Sequence, residues 1–141
     1  MDDSRVTIRA ATAGDLPAIA AIQAASPEAA QWDAAAYLDY DCRVASVEAR
    51  VLGFLVARQV APGEREILNL AVEPAERRAG IARKLVRDAL ASTPAAWFLE
   101  VRASNAAAIQ LYESAGFHRA GRRSNYYYEP AEDAIVMRFF S

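Results

Sequence analysis

The chain has 141 residues, 54% of them hydrophobic and 24% charged, which predicts one folded domain with a single core and argues against disorder. A net charge of −2 implies no general affinity for nucleic acid, and one cysteine with one histidine excludes an internal disulfide and argues against a structural zinc site. No apolar run approaches the roughly 18 residues of a membrane span, and the acidic start Met1-Asp2-Asp3 is unlike a signal peptide, so the expectation is a cytoplasmic protein that does not engage membranes.

Taken in chain order, Arg5 to Ala10 alternates as a first strand, with Val6, Ile8 and Ala10 on one face. Thr12-Ala13-Gly14-Asp15 resembles a capping box and opens a helix whose inner side is Leu16, Ile19, Ala20 and Gln23. Ser26-Pro27 breaks that helix, and a second helical piece runs from Asp33 to Tyr40. Cys42 to Val47 and Val51 to Val60 read as paired strands, and Ala61-Pro62-Gly63-Glu64 turns the chain into a third. That strand, Glu66 to Val72, is short, largely apolar and ended by Pro74.

An amphipathic helix follows, with Ala82, Leu85, Val86, Ala89 and Leu90 on its apolar side. Ala96-Trp97-Phe98-Leu99-Glu100-Val101 is the most strand-like run of the chain. Ser104-Asn105 offers an N-cap to a helix with the stripe Ala108, Leu111, Tyr112 and Ala115, stopped by Gly116. Phe117 to Tyr128 and Ala134 to Phe140 close the chain as two strands. The order β-α-α-β-β-β-α-β-α-β-β predicts an α/β fold with a mixed sheet of about seven strands.

Between the third strand and its helix lies a basic loop, Arg77-Arg78-Ala79-Gly80-Ile81-Ala82. A strand, a tight loop and a helix N-terminus aim free N–H groups and the positive end of the helix dipole at one point, which suits a phosphate. A nucleotide P-loop needs Gly-Lys-Ser/Thr and a dinucleotide fold needs three spaced glycines, and neither pattern is present. An ordinary basic turn stays open as the alternative. Charge is unevenly spread: Arg77, Arg78, Arg83, Lys84 and Arg87 crowd this region, while Glu28, Asp33, Asp39, Asp41 and Glu48, and then Glu129, Glu132 and Asp133, gather elsewhere. That division suits an anionic cofactor and a cationic substrate, or it is a set of solvated faces.

Two residues stand out for proton transfer. Glu100 lies inside an apolar strand, either at an exposed end or in a partly desolvated place; Tyr112 lies on a helix stripe expected to face the sheet. The plain alternatives are a salt bridge from Glu100 to Arg102 and a core role for Tyr112. His118 reads as an exposed loop side chain and Cys42 as a small buried hydrophobe.

The run from Leu99 to Phe117, with Arg122 to Tyr127, Glu132 to Met137 and Asn69-Leu70-Ala71-Val72-Glu73-Pro74, resembles the RimI-like ribosomal-protein-alanine branch of the GNAT N-acetyltransferases. Arg77-Arg78-Ala79-Gly80-Ile81-Ala82 is similar to the loop by which that superfamily holds the pyrophosphate of acetyl-CoA. The resemblance is strong over the C-terminal half and only outlined over the first sixty or so residues. It implies the GNAT fold over residues 1–141, with a largely antiparallel sheet and about four helices. It implies acetyl-CoA as co-substrate, without a metal, and acetylation of a protein N-terminal amine, an alanine of a basic small-subunit ribosomal protein, in the bacterial cytoplasm.

Residue by residue, the resemblance implies that Glu100 is the general base for the amine and Tyr112 the general acid for the coenzyme A thiolate. It assigns Leu70, Ala71 and Val72 to a splayed strand whose backbone holds the pantetheine, Arg77, Arg78, Ala79, Gly80, Ile81, Ala82 and Arg83 to the pyrophosphate seat, and Asn105 to a cofactor contact. Trp32, Tyr126 and Glu132 would border the acceptor groove, although Tyr126-Tyr127-Tyr128 also reads as plain aromatic packing. One departure concerns the acceptor side: the family's Pro-Trp pair is here Pro27 and Trp32, separated by Glu28-Ala29-Ala30-Gln31. Lysine side chains or a small amine therefore stay open as acceptors, as does a non-catalytic acetyl-CoA-binding module. A monomer is the expected state.

Overall fold

Alternation along one strand shows how the sequence becomes architecture. Trp97, Leu99 and Val101 are buried, whereas Phe98, Glu100 and Arg102 between them are half-buried, because successive side chains leave a strand on opposite faces. The structure, a computed structural model, describes residues 5–77, 80–128 and 130–140. Its elements are β1 (Thr7–Ala10), α1 (Leu16–Ala24), a 3₁₀ turn (Ala34–Asp39), β2 (Asp41–Val47), β3 (Arg50–Ala61), β4 (Glu64–Val72), α2 (Ile81–Ser92), β5 (Ala96–Arg102), α3 (Ala106–Ser114), β6 (His118–Tyr127) and β7 (Glu132–Phe140). This is the order expected from the sequence, with the second helical piece wound as a 3₁₀ turn capped by Asp33.

The seven strands form one sheet in the order β1-β2-β3-β4-β5-β7-β6. Every described neighbour pair is antiparallel except β4 and β5. A core lies on each face. Leu52, Leu55, Val72, Ile81, Leu85, Val86, Trp97, Leu99, Ile109 and Tyr112 pack together on the side of α2 and α3. Ile19, Ile22, Tyr37, Val44, Phe54, Val56 and Ala71 pack on the side of α1.

Two helix faces differ from expectation by a residue. In α1 the buried set is Ile19, Ile22 and Gln23, while Ala20 is exposed; the larger Ile22 supplies apolar area that Ala20 lacks. In α2, Ile81 takes the buried place expected for Ala82, which is half-buried, because Gly80 as N-cap starts the helix one residue earlier. The first strand begins at Thr7 rather than Arg5, although Val6 is buried as expected.

The feature that positions the site is a parting of strands. β4 pairs with β5 only at its start, Glu64 with Ala96, Arg65 with Trp97 and Glu66 with Phe98. Beyond these pairs β4 stays with β3 as far as Val72, and β5 stays with β7 as far as Arg102. A register shift opposite Val56 and Ala57 leaves Leu68 without a β3 partner. Such a bulge bends a strand and re-aims its side chains. Here it accompanies the divergence of β4 from β5 and puts Leu68 and Asn69 both on the α1 side.

Candidate active site in the gap between β4 and β5

The gap opens into a cleft of about 450 Å³ that reaches both faces of the sheet. Its edges are Glu66 to Leu70 of β4 and Leu99 to Arg102 of β5. On the α3 side it is lined by Asn105, Ala108 and Tyr112, and on the α1 side by Pro27 to Trp32, with Tyr126 and Tyr127 of β6. Of the residues expected from the sequence, Glu100, Tyr112, Leu70, Asn105, Trp32 and Tyr126 thus line one cleft.

Glu100 and Tyr112 approach it from opposite faces. Tyr112 packs in the core with Leu99 and Ile109, and Glu100, one residue along β5 from Leu99, is directed to the other face. The Glu100 side chain is 10% exposed and pairs with Arg123, whose Nε lies 3.4 Å from Oε2. That oxygen accepts no hydrogen bond from the described residues, so a desolvated carboxylate retains acceptor capacity at the cleft. The alternative salt bridge to Arg102 is not formed: Arg102 pairs with Glu132 at 3.3 Å.

Tyr112 sits with its ring 5.6 Å from that of Phe117, in an edge-to-face contact. Burial, with a smaller contribution from Tyr127, pushes its phenol well above the ordinary value, so it is protonated at neutral pH. Burial and then Glu100 push the Tyr127 phenol up to about 12. Burial and then Glu100 also raise Tyr126, against the pull of Arg123.

The main chain of β4 borders the gap unevenly. Glu73 N–H donates to Leu52 O at 2.8 Å, so the alternation of an antiparallel ladder turns Ala71 toward β3 and leaves Leu70 and Val72 facing the gap. Ala71 therefore differs from its expected role, and its side chain, like that of Val72, is buried in the core. Leu70 N–H donates to Asn69 Oδ1 at 3.0 Å instead of joining a ladder. Asn105 caps α3, its Oδ1 accepting from Ala108 N–H at 3.2 Å.

At the start of α2, Gly80 is the N-cap with φ +82°. A Cβ added there would meet nothing within 4 Å, so the left-handed turn, rather than crowding, calls for glycine. Arg83, Lys84 and Arg87 border a shallow depression of about 510 Å³ beside Gly80, closed by Ile8 and Asp88. Ile81 is buried, Ala82 half-buried and Arg83 exposed. Arg78 and Ala79 lie outside the described residues. Arg77 is turned away from this depression: it pairs with Glu28 at 3.1 Å and donates to Ser26 Oγ at 3.1 Å.

Glu132 is also placed differently from expectation. It stands outside the cleft lining, paired with Arg102 and accepting from Ser104 N–H at 2.5 Å. Asp133 accepts from Asn125 N–H at 2.9 Å and pairs with Arg122 at 2.6 Å. Asn125, at φ +53°, lies with Tyr126 inside the register shift of β6 between Arg123 and Tyr127. Asp41 pairs with Arg43 and Arg65, and Glu48 with Arg5. Much of the acidic surface expected to attract a cation is thus matched locally by arginine; Glu129 lies outside the described residues.

The acceptor-side loop depends on residues for which the sequence suggested no role there. Asn69 Nδ2, with two hydrogens, lies 3.0 Å from Ala30 O and 3.1 Å from each of Gln23 Oε1 and Tyr37 Oη, and Tyr37 Oη donates in turn to Gln23 Oε1. The available signals were two polar side chains in apolar settings: Gln23 on the α1 stripe and Asn69 in the β4 run.

Among the described residues no group of three potential ligands could hold a metal, and no helix is long and apolar enough to cross a membrane. Residues 14–117 match the model of the acetyltransferase (GNAT) family. The chain is 46% identical over 85 residues to the [ribosomal protein bS18]-alanine N-acetyltransferase of Escherichia coli K12, a match covering 56% of this chain and 57% of that protein. The match thus spans a little more than half the length of that relative. The crystal structure of the Escherichia coli ribosomal-protein-S18-alanine N-acetyltransferase superposes with a TM-score of 0.79 at 34% identity, covering 95% of this chain and 92% of that one. A Salmonella typhimurium protein, yncA, solved with its cofactor acetyl-CoA, shares the fold with a TM-score of 0.80 at 21% identity, covering 96% and 93%. The protein belongs to the GNAT acetyltransferase family.

Proposed function

We propose that this protein transfers the acetyl group of acetyl-CoA to the N-terminal amine of a protein, the alanine of a basic small-subunit ribosomal protein. The observation that carries this reading is the cleft through the sheet, with Tyr112 on one face and Glu100 on the other. The name of the Escherichia coli relative supports the choice of acceptor.

Acetyl-CoA supplies an activated thioester. Gly80 and the first turn of α2, with Arg83, Lys84 and Arg87 beside them, fit its anionic end, since free N–H groups and arginines both favour phosphate. The gap-facing main chain of Leu70 and Val72 would hold the acyl arm. The amine enters from the α1 side, between the 27–32 loop and Tyr126. Glu100 takes a proton from the ammonium, directly or through water, so that the nitrogen can attack the carbonyl carbon. As the carbon–sulfur bond breaks, Tyr112 gives its phenolic proton to the departing sulfur, and the second proton that the nitrogen loses as the amide forms returns through water to restore the phenol. No acyl-enzyme is required: burial pushes the Cys42 thiol up to about 12, and it stays protonated in the core.

The test is a thioester-consumption assay with basic peptides beginning in alanine, followed by mass spectrometry of the product. Label confined to the α-amine is expected. Label on lysine side chains or free amines alone would replace the acceptor, and no consumption with any acceptor would favour a binding module. The separation of Pro27 from Trp32 is the feature that makes the lysine or small-amine reading worth testing.

A further inference from the structure

Asn69 holds together the two sides of the cleft. Its side chain is buried, at 5% exposure, on the bulged part of β4. Oδ1 accepts from Leu70 N–H, whose main chain faces the gap, and from Ala30 N–H of the 27–32 loop at 3.3 Å. Nδ2 is directed to Ala30 O, Gln23 Oε1 and Tyr37 Oη. Both main-chain groups of Ala30 are therefore taken by one side chain of β4, across 39 residues of sequence.

The rest of the loop is closed by Gln31. Its Nε2 lies 3.0 Å from Gln23 O, 3.0 Å from Ser26 O and 3.1 Å from Ala29 O. Gln23 O lies in the last turn of α1 and Ser26 O and Ala29 O in the chain that follows it, so one side chain spans the exit from the helix into the loop. The loop contains no helix or strand, so side chains rather than a ladder keep it in place against the cleft: these two amides, Gln23 Nε2 on Trp32 O at 2.5 Å, and Arg77 on Glu28.

We infer that Asn69 is a positioning residue for the acceptor: it fixes the 27–32 wall against the strand bordering the acyl site, and Gln31 clasps the same wall from outside. This rests on the acceptor side proposed above. A group acting in this way should alter capture of the amine and leave proton transfer intact, because Glu100 and Tyr112 are held by β5 and α3.

The experiment compares the wild type with Asn69→Ala and Gln31→Ala, measuring kinetics in both substrates and hydrogen exchange of the loop amides. Leaving buried partners unsatisfied or freeing the loop is expected to raise the acceptor KM about tenfold with kcat within about twofold; in Gln31→Ala, which leaves Leu70 N–H on Asn69 Oδ1, the acetyl-CoA KM also stays within about twofold. Exchange at Ala29 and Ala30 should quicken about tenfold while the β3–β4 ladder keeps its protection. Gln31 is exposed, so its variant keeps the test available if Asn69→Ala does not fold. An unchanged acceptor KM in a folded variant whose loop exchanges faster overturns the inference, as does unchanged exchange. If the wild type acetylates lysines or free amines instead, the acceptor proposal fails and the same ratios are read with that acceptor. If it turns over none, the exchange result alone decides whether Asn69 holds the loop.

Discussion

The two halves of the cleft are built by different means. The half beside α2 and α3 relies on main chain: the unpaired stretch of β4, the left-handed Gly80 and the first turn of α2. The half beside α1 relies on side chains: Asn69, Gln23, Tyr37 and Gln31 on one wall, and Arg102, Glu132 and Asp133 around the β6–β7 wall. Main-chain geometry tolerates changes of side chain, whereas a side-chain network changes shape when a member is replaced. A common cofactor and a variable acceptor would divide along the same line.

The sharpest test of that division is at its centre. Glu100→Gln and Tyr112→Phe should each lower kcat about 10²- to 10³-fold, the usual size for a positioned base or acid, with acetyl-CoA binding by calorimetry little changed. Because burial raises the Tyr112 phenol, its proton stays in place as the pH rises, and kcat should show no alkaline fall through about pH 9. Wild-type rates in both variants would remove the assignment of roles.

Gly80→Ala tests the main-chain half. The added methyl group meets open space, so the cost is that of placing alanine at φ +82°, about 1–2 kcal/mol. Acetyl-CoA affinity should fall several-fold while the acceptor KM stays near wild type. A change in the acceptor KM alone would dissolve the comparison.

A pH titration of stability examines what anchors the α1 side. Asp15 accepts from both guanidinium nitrogens of Arg9, at 2.7 and 2.9 Å, and from Thr12 N–H at 2.8 Å. The Arg9 hydrogen bond is the main cause that holds its carboxyl down at about 2. A depressed carboxyl stabilises the fold above its unfolded value near 4, and the contribution is lost as pH falls from about 4 to 2. Asp15→Asn should cost about 1–2 kcal/mol at neutral pH in urea melts, less than full linkage because Arg9 is partly exposed, and should flatten the loss below pH 4. A parallel loss in both proteins would exclude Asp15 as its source.

The smallest effect is expected at Glu132. Paired with Arg102 and Ser104 rather than lining the cleft, it should change the acceptor KM by less than about threefold when replaced by Gln, because it stands outside the groove. A tenfold rise would return it to the acceptor groove.

The element order and the mixed sheet were legible in the sequence because their signals are local, whereas Glu100 and Tyr112 were assigned to proton transfer by the resemblance. Aromatic and β-branched content marks Ala96 to Val101, a 3.6-residue stripe marks Ala82 to Leu90, and a glycine between basic residues marks the loop before α2. Local patterns did not say which partner each charge would choose. Glu132 took Arg102, Arg77 took Glu28, and Ala71 turned its main chain to β3. Tertiary structure alone decided where β4 parts from β5, which the resemblance had only implied as a splay, and the meeting of Asn69 with Ala30, because both depend on a bulge and on contacts between distant segments. Periodicity in a sequence fixes which face a side chain leaves from; what it meets there is set only when the strands are laid side by side.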